Sequence, residues 1–150
     1  MALFDADSFL NEVQEGELST KRLVIEPGVY PAYIDKLDVK SGEKDGREWA
    51  QLNVTWSIED EGVKSALGRD TVKSVQQFFL DLDDTGNLDK SAGKNVDLGR
   101  LLKAVGKLGS AFRPNELIGC RALVHVKNIP IKDSTEGDVR SEVRGVAAIV

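Results

Sequence analysis

The chain contains one cysteine, Cys120, one histidine, His125, and one methionine. A lone cysteine excludes an internal disulfide framework, and one cysteine with one histidine excludes a zinc site of ordinary composition. Cys120 and His125 are five residues apart on an expected strand, so they point to opposite faces and cannot pair as nucleophile and base within it. No run approaches the roughly 20 apolar residues that a membrane span needs. The opening Met1-Ala2-Leu3-Phe4-Asp5 lacks the basic and apolar stretches of a signal peptide, so a cytoplasmic protein is expected. Carboxylates are plentiful but scattered, with no pair placed for acid–base chemistry. Gly99 and Gly106 fall inside an expected helix, without the lysine of a phosphate-binding loop. Neither an enzyme nor a cofactor is expected.

What is present suits one soluble domain. The 150 residues are 41% hydrophobic and 30% charged, enough to bury a real core. The net charge is -5, but it is unevenly placed. Residues 1–20 hold Asp5, Asp7, Glu12, Glu15 and Glu17 and no lysine or arginine, which leaves the rest of the chain neutral. A neutral body can still carry a basic groove, because the local potential steers a polyanion.

The segment from Phe4 to Glu15 reads as a short acidic helix with Phe9, Leu10 and Val13 as its apolar face. It suits an arm packed on the body or a second subunit, or an acidic segment for partner docking or autoinhibition. A first strand is expected from Val29 to about Lys40. Tyr30, Ala32 and Ile34 share one parity there while Leu37 and Val39 take the other, so a bulge near Asp35-Lys36 is required. Ser41 to Gly46 is a hairpin turn. In the second strand Ala50, Leu52, Val54, Trp56 and Ile58 alternate with Trp49, Gln51, Asn53, Thr55 and Ser57, one face apolar and one polar. Residues 59–71 form a charged connection. A third strand, Thr71 to Leu82, has ambiguous parity, and one of Phe78 and Phe79 should face outward.

A polar loop then leads into the most regular helix, where Leu98, Leu101, Leu102, Val105 and Leu108 make the stripe. Asn95 or Asp97 is its candidate cap and Gly109 its stop. Pro114 to Ile118 reads as a helical turn. A fourth strand follows Gly119, with Cys120, Ala122, Val124 and Val126 on one face. After a polar loop over residues 130–140, a fifth strand runs from Ser141 to Val150. Three strands, a helix and two strands in a chain this size match the order of the OB-fold, a five-stranded barrel that often binds oligonucleotides. The expected class is mainly β: a five-stranded OB-fold barrel, residues 27–150, with one helix between strands three and four. An acidic, helical N-terminal arm, residues 1–26, precedes it.

One metal-like motif stands out, Asp81-Leu82-Asp83-Asp84-Thr85-Gly86, which imitates the start of an EF-hand loop. Thr85 at its fifth position and Ala92 at its twelfth spoil the ligand set, so a solvated turn is expected.

What remains is a binding surface. Proteins that bind single strands need cations along a groove and exposed aromatics on which bases stack. Trp49 sits on the polar face of strand two beside Arg47 and Gln51, whereas Trp56 shares the core face with Leu52 and Val54. Tyr33 falls opposite Tyr30 and Ile34 in parity and is a second candidate for stacking. Lys36, Lys40, Lys44 and Arg47 bracket the first hairpin, and Arg121 and Lys127 occupy the outer face of strand four. The eight residues Tyr33, Lys36, Lys40, Lys44, Arg47, Trp49, Arg121 and Lys127 form the expected nucleic-acid site.

Pro27-Gly28-Val29-Tyr30, Leu52-Asn53-Val54-Thr55-Trp56, Leu101-Leu102-Lys103-Ala104-Val105-Gly106 and Leu117-Ile118-Gly119, in this order and spacing over residues 27–150, carry a family resemblance. The chain resembles a family of small bacteriophage proteins long described as a domain of unknown function. The resemblance implies an OB-fold protein that coats single-stranded DNA in phage replication or recombination, without strong sequence preference, in the host cytoplasm. It departs from that pattern where Cys120 replaces a lysine usual after the strand-four glycine. The first hairpin is also more acidic, with Glu43, Asp45 and Glu48, and the end is the apolar Ala147-Ala148-Ile149-Val150 rather than an acidic tail. The expected partners are single-stranded DNA and replication or recombination proteins of phage or host, with no membrane and with a homodimer left open. A different class also fits: an acidic protein-interaction module that docks a phage or host protein through its arm.

Overall fold

The alternation that opens at Gly28 continues well past Lys40. In the computed structural model, which describes residues 3–109 and 111–149, strand β1 spans Gly28–Lys44 and pairs antiparallel with β2, Arg47–Ile58. The connection is only Asp45-Gly46, both at positive φ (53° and 76°), the conformation that a tight two-residue hairpin demands. The expected bulge is present: the register shifts between Ile34 and Lys36, so that Ala32 and Ile34 are buried below it while Leu37 turns inward above it. In β2 Leu52, Val54, Trp56 and Ile58 are buried on the expected parity, and Ser57, on the other, is buried beside them.

The charged connection after β2 contains a helix, α2 (Glu61–Leu67). The Asp60 side chain caps it by accepting from the Val63 amide, and Gly68 at φ 63° ends it. Strand β3 (Lys73–Leu80) turns Ser74, Gln76 and Phe78 inward and leaves Phe79 outside. Its parity was ambiguous because polar groups occupy the core side. Trp56 Nε1 donates to Gln76 Oε1 at 3.0 Å, and Ser74 Oγ donates to the Ser141 carbonyl, so both polar side chains are satisfied.

Helix α3 covers Val96–Ala104 and buries Leu98, Leu101 and Leu102. It is shorter than its apolar stripe suggested, because the chain leaves the helix at Gly106 (φ 77°) rather than Gly109, and Leu108 is exposed. Asn95 occupies the cap position without capping. Its amide side chain instead clips the preceding loop, accepting from the Asp81 amide and donating to the carbonyls of Asp81 and Asp89. After a 3-10 turn at Pro114–Leu117, β4 (Arg121–Pro130) pairs with β1 and with β5 (Val139–Ala147). The expected end of strand five at Val150 lies outside the described residues, as do Met1 and Ala2 of the arm.

The expected fold class is corrected by these observations. The protein is a mixed α/β fold, with α1 (Ala6–Asn11), α2 and α3 beside a five-stranded sheet, not the expected mainly-β OB-fold with one helix between strands three and four and a short helical arm. Nor is the sheet a continuously hydrogen-bonded barrel. Its order is β1-β2-β3-β5-β4, with β4 returning to β1, but β3 and β5 run parallel and pair only at Val75 and Glu142. Beyond that pair the two strands part, and the opening is lined by Gln77, Phe79, Arg140 and Arg144. Charged side chains on β5 and the side-chain bond from Ser74 to Ser141 stand where a ladder would run.

The arm joins the body at Ile25, which is buried and whose amide donates to Ser141 Oγ. Tyr30 donates its hydroxyl to the Glu26 carbonyl; burial, with Glu26 and Asp60 nearby, pushes the phenol above its usual value and keeps it a donor. Before that point every described residue through Leu23 is exposed.

Candidate nucleic-acid interface

Strand register decides which side chains share a face. Lys36, Asp38, Lys40, Gly42 and Lys44 of β1 stand opposite Thr55, Asn53, Gln51, Trp49 and Arg47 of β2. Asn53 and Gln51 in turn face Gln77 and Phe79 of β3. The alternate residues of β2 are in the core, so this set forms the outer surface of three adjacent strands.

Two aromatics stand on it. Phe79 is 73% exposed and Trp49 is 40% exposed. Trp49 is diagonal to Phe79 across β2 and β3, a separation of about 7–8 Å between backbone positions. The indole lies over Gly42: a Cβ there would stand 2.8 Å from Cζ2 and 2.9 Å from Nε1. The missing side chain is what gives the ring its seat.

Charge is sorted by face at the hairpin tip. Lys44 and Arg47 are paired on the outer side, and Glu43 and Glu48 are paired on the other. Like charges directly opposite each other cost stability, so each pair is a local expense that segregates sign. Glu43 and Glu48 border a groove of about 720 Å³ shared with Leu82, Gly86 and Asn87. The acidity of the strands thus lies mostly away from the cations, with Asp38 on the outer face and Asp45 in the turn the exceptions. Among the described residues, no ion pair engages Lys36, Lys40, Lys44 or Arg47.

The structure brings together five of the eight expected residues: Lys36, Lys40, Lys44, Arg47 and Trp49. Tyr33 is outward but half-buried, opposite Ser57 and Arg121, and lies eight residues, roughly 27 Å, along β2 from Trp49. Arg121 is committed to Glu59, Nε to Oε1 2.9 Å. Lys127 stands opposite Glu142 and just beyond Val126, which pairs with Gly28, so it lies about eight residues, roughly 27 Å, along β1 from Lys36. Lys73 is likewise taken, 2.9 Å from Asp35, whose hydrogen bond raises the lysine above its ordinary value.

Three residues outside the expected eight belong with this face. Phe79 borders a groove of about 570 Å³ between β3, β5 and the start of α3, and Arg140 and Arg144 stand on its far wall. Both arginines are held by Glu142, at 2.6 and 3.1 Å. Their alternation along β5 was visible as a pattern, but nothing in it indicated that β5 parts from β3 there.

Metal chemistry has no support at the EF-hand-like turn. The Asp83 carboxylate accepts from the Thr85 hydroxyl and from the amides of Thr85 and Asn87, and the hydroxyl above all holds it below the usual carboxylate range. No group of three His, Cys, Asp or Glu among the described residues could hold a metal ion. Cys120, expected in the core, is half-buried, with its thiol 3.7 Å from the Glu116 carbonyl, and His125 is exposed. Among the described residues no helix is long and apolar enough to cross a membrane.

Gly42→Ala tests the seat of the indole directly. Gly42 is not at positive φ, so alanine strains nothing in the backbone. The methyl should displace Trp49 and shift its emission toward that of a solvated indole, with stability changed by less than about 0.5 kcal/mol. Unchanged emission would show that the ring does not rest there.

No protein-family model matches the chain, and a comparison with curated proteins finds no match.

Proposed function

We propose that the protein binds single-stranded DNA along the outer face of β1, β2 and β3 without strong sequence preference. In this reading it coats strands exposed in replication or recombination, and the phage setting comes from the family resemblance. The observation that carries the proposal is the exposed pair Trp49 and Phe79 on one face with four cations that have no ion-pair partner among the described residues. Every base has a π-face, so stacking on such rings is tolerant of sequence, and it is available only where bases are not already stacked in a duplex. Lys36, Lys40, Lys44 and Arg47 then follow the phosphates.

The test is tryptophan fluorescence titrated with a poly-thymidine oligonucleotide at several salt concentrations, beside a duplex and a poly-uridine control. Trp56 is fully buried, so the signal should come from Trp49. Saturable quenching by the single strand is expected, with a slope of log affinity against log salt of about -3 if four phosphates are neutralised. A duplex that quenches equally, or no quenching at low salt, would overturn the reading.

One observation favours the second reading, an acidic protein-interaction module: the arm leaves Phe4, Phe9, Leu10 and Val13 exposed. That reading predicts no response to the oligonucleotide.

A further inference from the structure

The N-terminal arm and a groove beside α3 are chemical complements. The arm is a preformed element rather than a featureless tail. The Asp5 side chain caps α1 by accepting from the amides of Asp7 and Ser8, and Phe4 stacks on Phe9 with ring centroids 5.4 Å apart. An apolar contact between the residue before the cap and the fourth helical residue is a hydrophobic staple, and it fixes the entry of the chain. Yet no residue of α1 is buried. Phe4 is 69% exposed and Leu10 77%, so the staple presents an apolar edge to solvent, flanked by Asp7, Glu12, Glu15 and Glu17.

The groove, about 660 Å³, has an apolar floor of Leu88, Leu98, Leu102 and Phe112, with the exposed Leu108 beside them. Its cations are Lys90, Lys94 and Lys107. Its one carboxylate, Asp89, is already occupied by the Ser91 amide and hydroxyl. Apolar floor meets apolar edge, and lysines meet carboxylates.

We infer that the arm of one copy docks in the α3 groove of a second copy. The base of the arm is tied to the start of β5 and the loop before it, where Ile25 is bound to Ser141 and Lys21 pairs with Glu136, at 3.8 Å. That is the end of the sheet at which β3 and β5 begin, whereas the groove lies where β3 ends and α3 follows. β3 alone spans roughly 26 Å. The ten steps from Lys21 to Asn11 reach at most about 35 Å, so a chain entering its own groove would have to run extended over most of that length. A neighbouring copy imposes no such stretch. The contact joins different surfaces on the two copies, so it does not close on itself and extends head to tail. It uses neither Trp49 nor the hairpin cations, and stands whether or not the face of β1 to β3 binds DNA.

Sedimentation velocity of the full chain without DNA tests it. The mean mass should rise with concentration beyond that of a dimer between about 1 and 500 µM, the range expected of an interface below about 1,200 Å². Two triple variants then decide the contact: Asp7→Lys/Glu12→Lys/Glu15→Lys in the arm, and Lys90→Glu/Lys94→Glu/Lys107→Glu in the groove. Each alone juxtaposes like charges and should weaken self-association by at least about tenfold, while a one-to-one mixture, in which each arm meets an opposite groove, should restore it. A wild type that stays monomeric overturns the inference, whether its arm folds on its own body or awaits a foreign partner. So does a variant that associates like the wild type, or a mixture that stays as weak as its components.

Discussion

Trp56→Ala should destabilise the protein by about 5 kcal/mol, a third or more of the stability of an ordinary domain. Two effects combine. The side chain is the largest with no exposed surface, opposite Ile34 of β1 and Ser74 of β3, and truncating a buried tryptophan costs about 3–5 kcal/mol in lost burial and residual cavity. It also removes the Trp56 donor to Gln76 Oε1, the only one among the described residues, and a buried acceptor left without a partner costs about 1–3 kcal/mol. The two parts can be separated. Trp56→Phe keeps an aromatic ring but orphans Gln76, whereas Trp56→Phe/Gln76→Leu leaves no polar atom to satisfy. The double variant should therefore be more stable than the sum of the two single changes by at least about 1 kcal/mol. Urea unfolding followed by circular dichroism measures both. A loss below about 1 kcal/mol for Trp56→Ala would mean that the indole is not a core element.

That polar pair also explains what the sequence concealed. In β1 and β2 the apolar alternation is nearly unbroken, and the strands, the bulge after Ile34 and the core position of Trp56 could all be read from it. In β3 the inward positions are Ser74, Gln76 and Phe78 and an outward one is Phe79, so hydrophobicity points the wrong way unless the Trp56 and Ser141 partners are known. Those partners are 20 and 67 residues distant, beyond any local period. Helix α2 escaped for another reason. It buries a single side chain, Val63, and is defined by its ends, Asp60 and Gly68, rather than by a stripe. The overlong expectation for α3 came from counting Val105 and Leu108 into a stripe that the backbone leaves at Gly106.

The expected OB-fold barrel did not anticipate the β3–β5 seam, a contact between strands more than sixty residues apart that run parallel and pair at one position. Within the site, the hairpin cations and Trp49 were legible because they lie on two strands joined by a short turn. That Glu43 and Glu48 point away from them follows from parity. That Arg121 is held by Glu59, 62 residues earlier, does not.

Replacing both outer aromatics, Trp49→Ala/Phe79→Ala, should lower the proposed affinity for single-stranded DNA by at least a hundredfold while leaving the fold intact. Stacking of one base on one ring contributes about 1–3 kcal/mol, and each 1.4 kcal/mol is tenfold. Each single change should thus cost about tenfold or more. The rings touch separate bases if the strand crosses β2 to β3, so their losses should be close to additive, and a shared base would instead make the second change nearly free. Stability should fall by no more than about 1–2 kcal/mol, since Phe79 is 73% exposed and Trp49 40% exposed. The contrast with charge variants is diagnostic. Lys40→Ala/Arg47→Ala should flatten the salt dependence by about 1.4 in slope, whereas the aromatic pair should shift affinity at every salt concentration without changing the slope. Titration with a fluorescently labelled oligonucleotide reads both, since one variant has lost Trp49. If the aromatic pair alters affinity by less than threefold while the cations carry all of it, the face binds polyanions in general and the single-strand reading fails. The groove beyond Phe79 then sets the path: Arg140→Ala/Arg144→Ala should weaken long oligonucleotides more than short ones if the strand passes from the hairpin face into the open seam.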